Sequence, residues 1–177
     1  MIYKQFKDKK LSALGFGTMR LPLIDGDDSK VDEAKAAEMF DYAIKNGVNY
    51  FDTARGYTDS EEKLGEAFDG MRDMVYIATK TGATTVEGFW KDLETSLGNL
   101  RTDYVDLYQF HNPAFCPVPG DESGIYDAMI EAKAKGMVTH IGITNHRLNV
   151  AKQAIESGLY ETLQFPFCYI YTKLDLP

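Results

Sequence analysis

Three residues with proton-handling side chains recur at one kind of place in this 177-residue chain. Asp52, Lys80 and His111 each close a short, β-type apolar run immediately before a loop. Tyr57 follows the first of them by five residues. Strand ends are where a parallel α/β protein gathers its chemistry, and these four types have a definite joint use. A free phenol has a pKa near ~10, too high for efficient proton exchange near neutrality. An ammonium beside it favours the phenolate and is expected to lower that value. A buried ammonium in turn needs a carboxylate partner, which gives Asp52 a role. His111 can hydrogen-bond the oxygen of a substrate and set its angle. None of the four accepts electrons well, so a reduction at such a site needs a hydride from a cofactor.

The elements that must position these groups alternate along the chain. IYKQF and KKLSALGFG read as a hairpin leading into a first strand. After the polar break Asp25-Gly26-Asp27-Asp28, a helix is predicted over about 31–45, stopped by Asn46-Gly47. Further strands are predicted at VNYFDTA, MVYIATKTG, DYVDLYQFH, MVTHIGIT and LQFPF, with helices over about 60–68, 86–100, 126–135 and 149–156 between them. Alternating strands and helices predict consecutive βα units on a parallel sheet. Parity along the strands places Asp52 with Val48 and Tyr50, Lys80 with Tyr76 and Ala78, and His111 with Val105, Leu107 and Gln109. A doubly wound sheet is the alternative architecture, though its main marker is missing: Gly15-Phe16-Gly17 lacks the third glycine and the following helix of a Rossmann fingerprint. The fold class predicted is α/β, a (β/α)₈ barrel with about six of its eight units in residues 1–177, read as one domain lacking its C-terminal part. A closed barrel of this kind typically takes ~250 residues. Six strands leave two open edges, which a partner or self-association would cover.

Bulk properties narrow the function classes. Nineteen basic and 27 acidic residues give a net charge of −8. That charge argues against a nucleic-acid or anionic-membrane surface. No apolar run reaches the ~18 residues a bilayer span needs, and no signal peptide precedes the first strand, so a cytoplasmic setting is expected. Cys116 and Cys168 have no metal-ligand or disulfide spacing, and no metal site is expected.

The stretches around these residues resemble the aldo-keto reductases: GFGTMRLP (15–22), NYFDTARGYTDSEEKLGEAF (49–68), IATKTG (77–82), LGNLRTDYVDLYQFHNP (97–113) and HIGITNH (140–146). They come in the family's order over nearly the whole chain. The most specific is Asp-Thr-Ala, then Tyr, then Glu-x-x-Leu-Gly. The resemblance implies a (β/α)₈ barrel that binds NADP(H), with NAD(H) as the alternative, and reduces an aldehyde or ketone of a small-molecule substrate. It makes Asp52, Tyr57, Lys80 and His111 the family tetrad, with Tyr57 as general acid, Lys80 as its pKa partner, Asp52 as counter-ion and His111 as the carbonyl-orienting group. Gly17, Thr18 and Met19 match the family's cofactor loop after the first strand. Thr144 and Asn145 match the pair that holds the nicotinamide carboxamide, Thr standing for Ser, and Gln164 matches the glutamine that contacts the same amide.

FHNPAFCPVPGDESG (110–124) and LQFPF (163–167) are most similar to a bacterial branch that often carries a C-terminal iron–sulfur extension, absent from these 177 residues. The family's seventh and eighth strands, with the aromatic that stacks on the nicotinamide and the basic residues that grip the 2′-phosphate, are absent from them too. A catalytically inactive form that keeps only the fold is therefore a further reading. Met19, Trp90 and Phe115 are candidates for an apolar substrate wall. A competing enzyme reading is a lyase in which Lys80 forms a Schiff base. Borohydride trapping in the presence of a carbonyl substrate separates the two. A reductase leaves the mass of the peptide containing Lys80 unchanged, and a lyase adds the reduced adduct.

Overall fold

The computed structural model of the chain describes residues 1–27 and 30–167. Asp28 of the predicted polar break and Cys168 lie outside them. Strands β1 (Tyr3–Phe6) and β2 (Lys9–Ser12) form an antiparallel hairpin, as predicted. Six parallel strands follow, in sequence order across one sheet: β3 (Phe16–Gly17), β4 (Tyr50–Asp52), β5 (Tyr76–Thr81), β6 (Val105–His111), β7 (Val138–Thr144) and β8 (Thr162–Gln164). Each successive pair is bridged by one helix: α1 (Glu33–Lys45), α2 (Ser60–Ala67), α3 (Val86–Asn99), α4 (Ile125–Ala134) and α5 (Leu148–Ser157). The result is a curled parallel half-barrel with helices on its outer face, consistent with a (β/α)₈ barrel lacking two units.

Curvature is visible in the side chains. Gln109 on β6 reaches both Asp52 on β4 (3.4 Å) and Gln164 on β8 (3.5 Å). Alternate strands of a barrel place their inward residues in one layer in this way. The opposite parity faces the helices. There Phe16, Phe51, Phe40 and Phe68 pack edge to face or tilted, with ring centroids 4.6–6.1 Å apart. Phe51, Ile77, Phe110, Ile141 and Ile143 continue this core along the sheet. The hairpin is fastened beneath the strand starts by Asn49, whose side chain accepts from the Ser12 amide (2.7 Å) and donates to the Lys10 carbonyl (2.9 Å).

Element ends differ from the sequence expectation where local hydrogen bonding overrides hydropathy. Helix α1 begins at Glu33 because Asp32 caps it, accepting from the Lys35 amide, while Val31 bridges to Leu23 instead. Gly47 stops the helix with φ +86°, as expected. A 3₁₀ turn at Arg72–Met74 has no signal of its own in the sequence. It is held by Arg72, which donates to the Val75 and Tyr104 carbonyls and pairs with Asp106 at 2.6 Å. Strand β8 is shorter than LQFPF; Pro166 has no amide for a ladder.

One glycine explains part of the Glu-x-x-Leu-Gly motif. A Cβ on Gly65 would lie 2.1 Å from the backbone carbonyl oxygen of Asn99. Only glycine lets α2 approach the end of α3 this closely. Gly98, also helical, has nothing within 4 Å of that position. Gly65→Ala is therefore expected to destabilise the chain by about 1–3 kcal/mol through overpacking. Gly98→Ala should instead stabilise it by up to about 1 kcal/mol through helix propensity. Urea unfolding of the two variants measures both.

Candidate active site

Strand β4 ends at Asp52, and its ladder continues one turn further through the backbone. Thr53 donates to the Ala78 carbonyl (2.8 Å) and Arg55 to the Lys80 carbonyl (3.1 Å). The chain then folds through two tight turns, Tyr57 N–H to Ala54 (3.0 Å) and Ser60 N–H to Tyr57 (2.9 Å). Thr58 takes φ +37°, an uncommon value for a residue with a Cβ. Buried hydroxyls of Thr53 and Ser60, 2.7 Å apart, tie the two ends of this loop together. The loop thereby turns Tyr57 back over the ends of β4 and β5.

All four residues of the expected tetrad come together there. Lys80 is 2% exposed and donates to Asp52 Oδ1 and to the Thr53 carbonyl, each at 2.6 Å. Its Nζ lies 5.1 Å from the centroid of the Tyr57 ring. Tyr57 meets His111 edge to face, with centroids 5.6 Å apart and planes at 82°. The Thr53 carbonyl is a ligand of the ammonium that no sequence signal marks, since it belongs to the backbone. Gln109, which also reaches Asp52, was legible only as the residue two before His111 on the same strand parity.

The electrostatics depart from the sequence expectation at Tyr57. Burial, and then the Asp52 carboxylate, hold its phenol above the ordinary value of 10.0 rather than below it. The reason is geometric. Lys80 spends its ammonium on Asp52 and the Thr53 carbonyl, each at 2.6 Å, and lies over the Tyr57 ring at 5.1 Å from its centroid. The Lys80 ammonium itself is pulled below 10.5 by burial, against the pull of Asp52. His111 is held below 6.5 by burial and by Lys80, with Asp52 opposing. It is therefore neutral at pH 7.

The residues expected to hold a cofactor divide into two groups. Gly17, Asp52 and Gln164, together with Gln109, Tyr50 and Leu107, line a cleft of about 370 Å³ on the inner face of the sheet. A Cβ on Gly17 would meet nothing within 4 Å, so the floor of that cleft is open. Gln164 is exposed. Met19, 59% exposed, lies with Thr18, Arg20 and Tyr57 on a second cleft of about 290 Å³. Other expected contacts are engaged in the protein. The Thr18 amide and hydroxyl both donate to the Asp52 carbonyl (2.9 and 3.2 Å), strapping the loop after β3 to β4. Thr144 Oγ1 accepts from the Asn112 amide (3.2 Å). Asn145, 1% exposed, donates to the Pro113 carbonyl (2.8 Å) and accepts from the Arg147 amide (2.7 Å). Each of these three keeps hydrogen-bonding capacity beyond those bonds.

Of the apolar-wall candidates, Trp90 sits on α3 against Phe89 and under the Lys135 ammonium, at 4.5 Å from its ring. Phe115 is exposed in the loop after β6. Among the described residues no cluster of three or more His, Cys, Asp or Glu is arranged to hold a metal ion, and no helix is long and apolar enough to cross a membrane.

Residues 13–169 match the model of the Aldo/keto reductase family. The chain is 29% identical over 174 residues to the uncharacterized oxidoreductase YqkF of Bacillus subtilis, covering 90% of this chain and 53% of that protein. It is 35% identical over 156 residues to the methylglyoxal reductase DkgB of Salmonella typhi, covering 82% and 52%. The holo form of aldo-keto reductase AKR11C1 from Bacillus halodurans superposes with a TM-score of 0.80 at 28% identity, covering 94% of this chain and 58% of that one. The chain thus spans about half the length of the two relatives it matches in sequence. With the family model extending from the strand before the Gly17 loop to beyond β8, this chain belongs to the aldo/keto reductase family.

Proposed function

We propose that the site carries out reduction of an aldehyde or ketone to an alcohol, with NADP(H) as the cofactor and Tyr57 as general acid. The convergence of Asp52, Lys80, Tyr57 and His111 at adjacent strand ends, in a chain of this family, carries the reading. The open floor over Gly17, the exposed Gln164 amide and the remaining bonding capacity of Thr144 and Asn145 fit a nicotinamide ring and its carboxamide. When bound there, the nicotinamide supplies the hydride.

The chain's own residues supply the rest. The Tyr57 hydroxyl gives its proton to the carbonyl oxygen as negative charge develops on it. With its pKa held above 10.0 the phenol carries its proton through neutral pH but is a weaker acid than a free phenol, so the transfer depends on the negative charge that develops on the carbonyl oxygen. His111, neutral because burial and Lys80 depress its pKa, hydrogen-bonds the same oxygen and sets its angle. Lys80 provides a fixed positive charge against the Tyr57 ring face, and Asp52 keeps that charge in a site where burial disfavours it. The cleft shared by Met19, Arg20 and Tyr57 receives the remainder of the substrate.

The Schiff-base alternative draws less support. A nucleophilic amine must be free and approachable, whereas Lys80 is enclosed and donates to two acceptors at 2.6 Å. NAD(H) in place of NADP(H) is distinguished by titrating the chain with each reduced cofactor and following its fluorescence.

Tyr57→Phe is expected to lower the rate of carbonyl reduction by ~10²–10⁴-fold while NADPH affinity stays within about twofold. Equal turnover in the variant would remove Tyr57 from the role. Because the phenol must be protonated to donate, turnover in the wild type should not fall on account of Tyr57 until the pH exceeds its ordinary value of 10.0. Asp52→Asn leaves the Lys80 ammonium buried without its counter-charge and should cost about 3–5 kcal/mol of stability. Adding Lys80→Met to that variant should restore much of the loss, measured by urea unfolding at pH 7.

A further inference from the structure

The glutamate of the Glu-x-x-Leu-Gly motif has no part in the chemistry above, yet Glu61 is only 2% exposed. Its Oε1 accepts from the Thr79 hydroxyl at 2.6 Å and its Oε2 from the Asn99 side-chain Nδ2 at 3.2 Å. The Arg55 guanidinium lies 3.9 Å from Oε2. Thr79 precedes Lys80 on β5 and faces the opposite side of the strand, so Glu61 grips from the helix side the strand that carries Lys80 into the barrel. Arg55 lies between Asp52 and Tyr57, and its amide bonds the Lys80 carbonyl at 3.1 Å. One carboxylate thus reaches the strand of the ammonium, the loop of the tyrosine and the end of α3.

Packing does not call for a charge there. Leu64, one turn further along α2, is fully buried as an apolar residue, and a buried carboxylate is costly unless it is paired. We propose that Glu61 is a positioning residue for the Tyr57–Lys80 pair, supporting the buried ammonium from behind its strand and fixing, through Arg55, the loop that presents Tyr57. The charges alternate across this region: Asp52 and Lys80 inside the sheet, Glu61 and Arg55 on its helix side. Lys80 is faced by Asp52 from β4, Glu61 from α2, Tyr57 from the connecting loop and His111 from β6, and Arg55 pairs with Glu61 at 3.9 Å. Burial draws its pKa down, and Asp52 and then Glu61 oppose that pull.

This inference rests on the reading of Tyr57 and Lys80 as the proton-transfer pair, and its test is read without turnover. Lysine-selective isotope labelling of the full chain follows the Lys80 titration by NMR, with Lys80→Met identifying the resonance. Glu61→Gln should move the Lys80 midpoint down by about half a pH or more, because a supporting negative charge is lost. Arg55→Met removes a positive charge and should move it up. Glu62→Gln, at an exposed position on the same helix, should leave it in place. A role in packing alone predicts no such pair of opposite shifts. Superimposable Lys80 titrations in the wild type, Glu61→Gln and Arg55→Met, at unchanged near-ultraviolet circular dichroism, would overturn the proposal. Should Glu61→Gln fail to fold, the Arg55→Met titration decides alone, an upward shift supporting the role and no shift ending it. Absence of carbonyl reduction by the wild type would count against the Tyr57–Lys80 reading while leaving the Glu61 titration to be scored separately.

Discussion

A single buried ion pair organises this end of the molecule. Lys80 is enclosed, and a lysine ammonium out of water is tolerated only when acceptors replace its hydration. Asp52 and the Thr53 carbonyl provide them, both at 2.6 Å. For those acceptors to meet Nζ, β4 and β5 must be adjacent and parallel in the observed register, with Asp52 beside Ala78. The chain must also turn sharply after Thr53, and that turn brings Tyr57 over the pair. Neighbouring elements then brace Asp52: Thr18 binds its carbonyl, and Gln109 approaches its free carboxylate oxygen.

The same pair sets the protonation of its neighbours, in a way that reasoning from residue types misjudges. An ammonium beside a phenol suggests a lowered phenol pKa. Here the ammonium is already neutralised, so Tyr57 experiences burial and the Asp52 charge more than Lys80. His111 feels burial and Lys80 together, and both favour the neutral ring. A protonated phenol and a neutral imidazole over one cleft suit donation of a proton to a carbonyl oxygen, which is the direction the proposed reduction needs.

Much of the fold was legible because its signals are local. Alternating apolar runs and helix stops such as Asn46-Gly47 define the βα order, and Gly47 does adopt φ +86° after α1. Signals that depend on remote partners were not legible. Val31 leaves α1 because it bridges to Leu23, and the turn at Arg72–Met74 depends on Asp106, 34 residues away. Nor does the Thr144-Asn145 pair show in the sequence what Asn145 binds. Arg147 is the N-cap of α5, and Asn145 links the β7 end to Pro113.

By itself the sequence determined which groups stand at the strand ends, their strand parity and the family motifs around them, because these follow from residue type and spacing of two along a strand. Tertiary structure alone decided what those groups do to one another. It assigned Lys80 to Asp52 and the Thr53 carbonyl, raised the Tyr57 phenol, committed Thr18 to the Asp52 carbonyl and brought Glu61 behind the strand of Lys80. Those outcomes depend on distance and burial, and both arise only when strands far apart in the chain lie side by side.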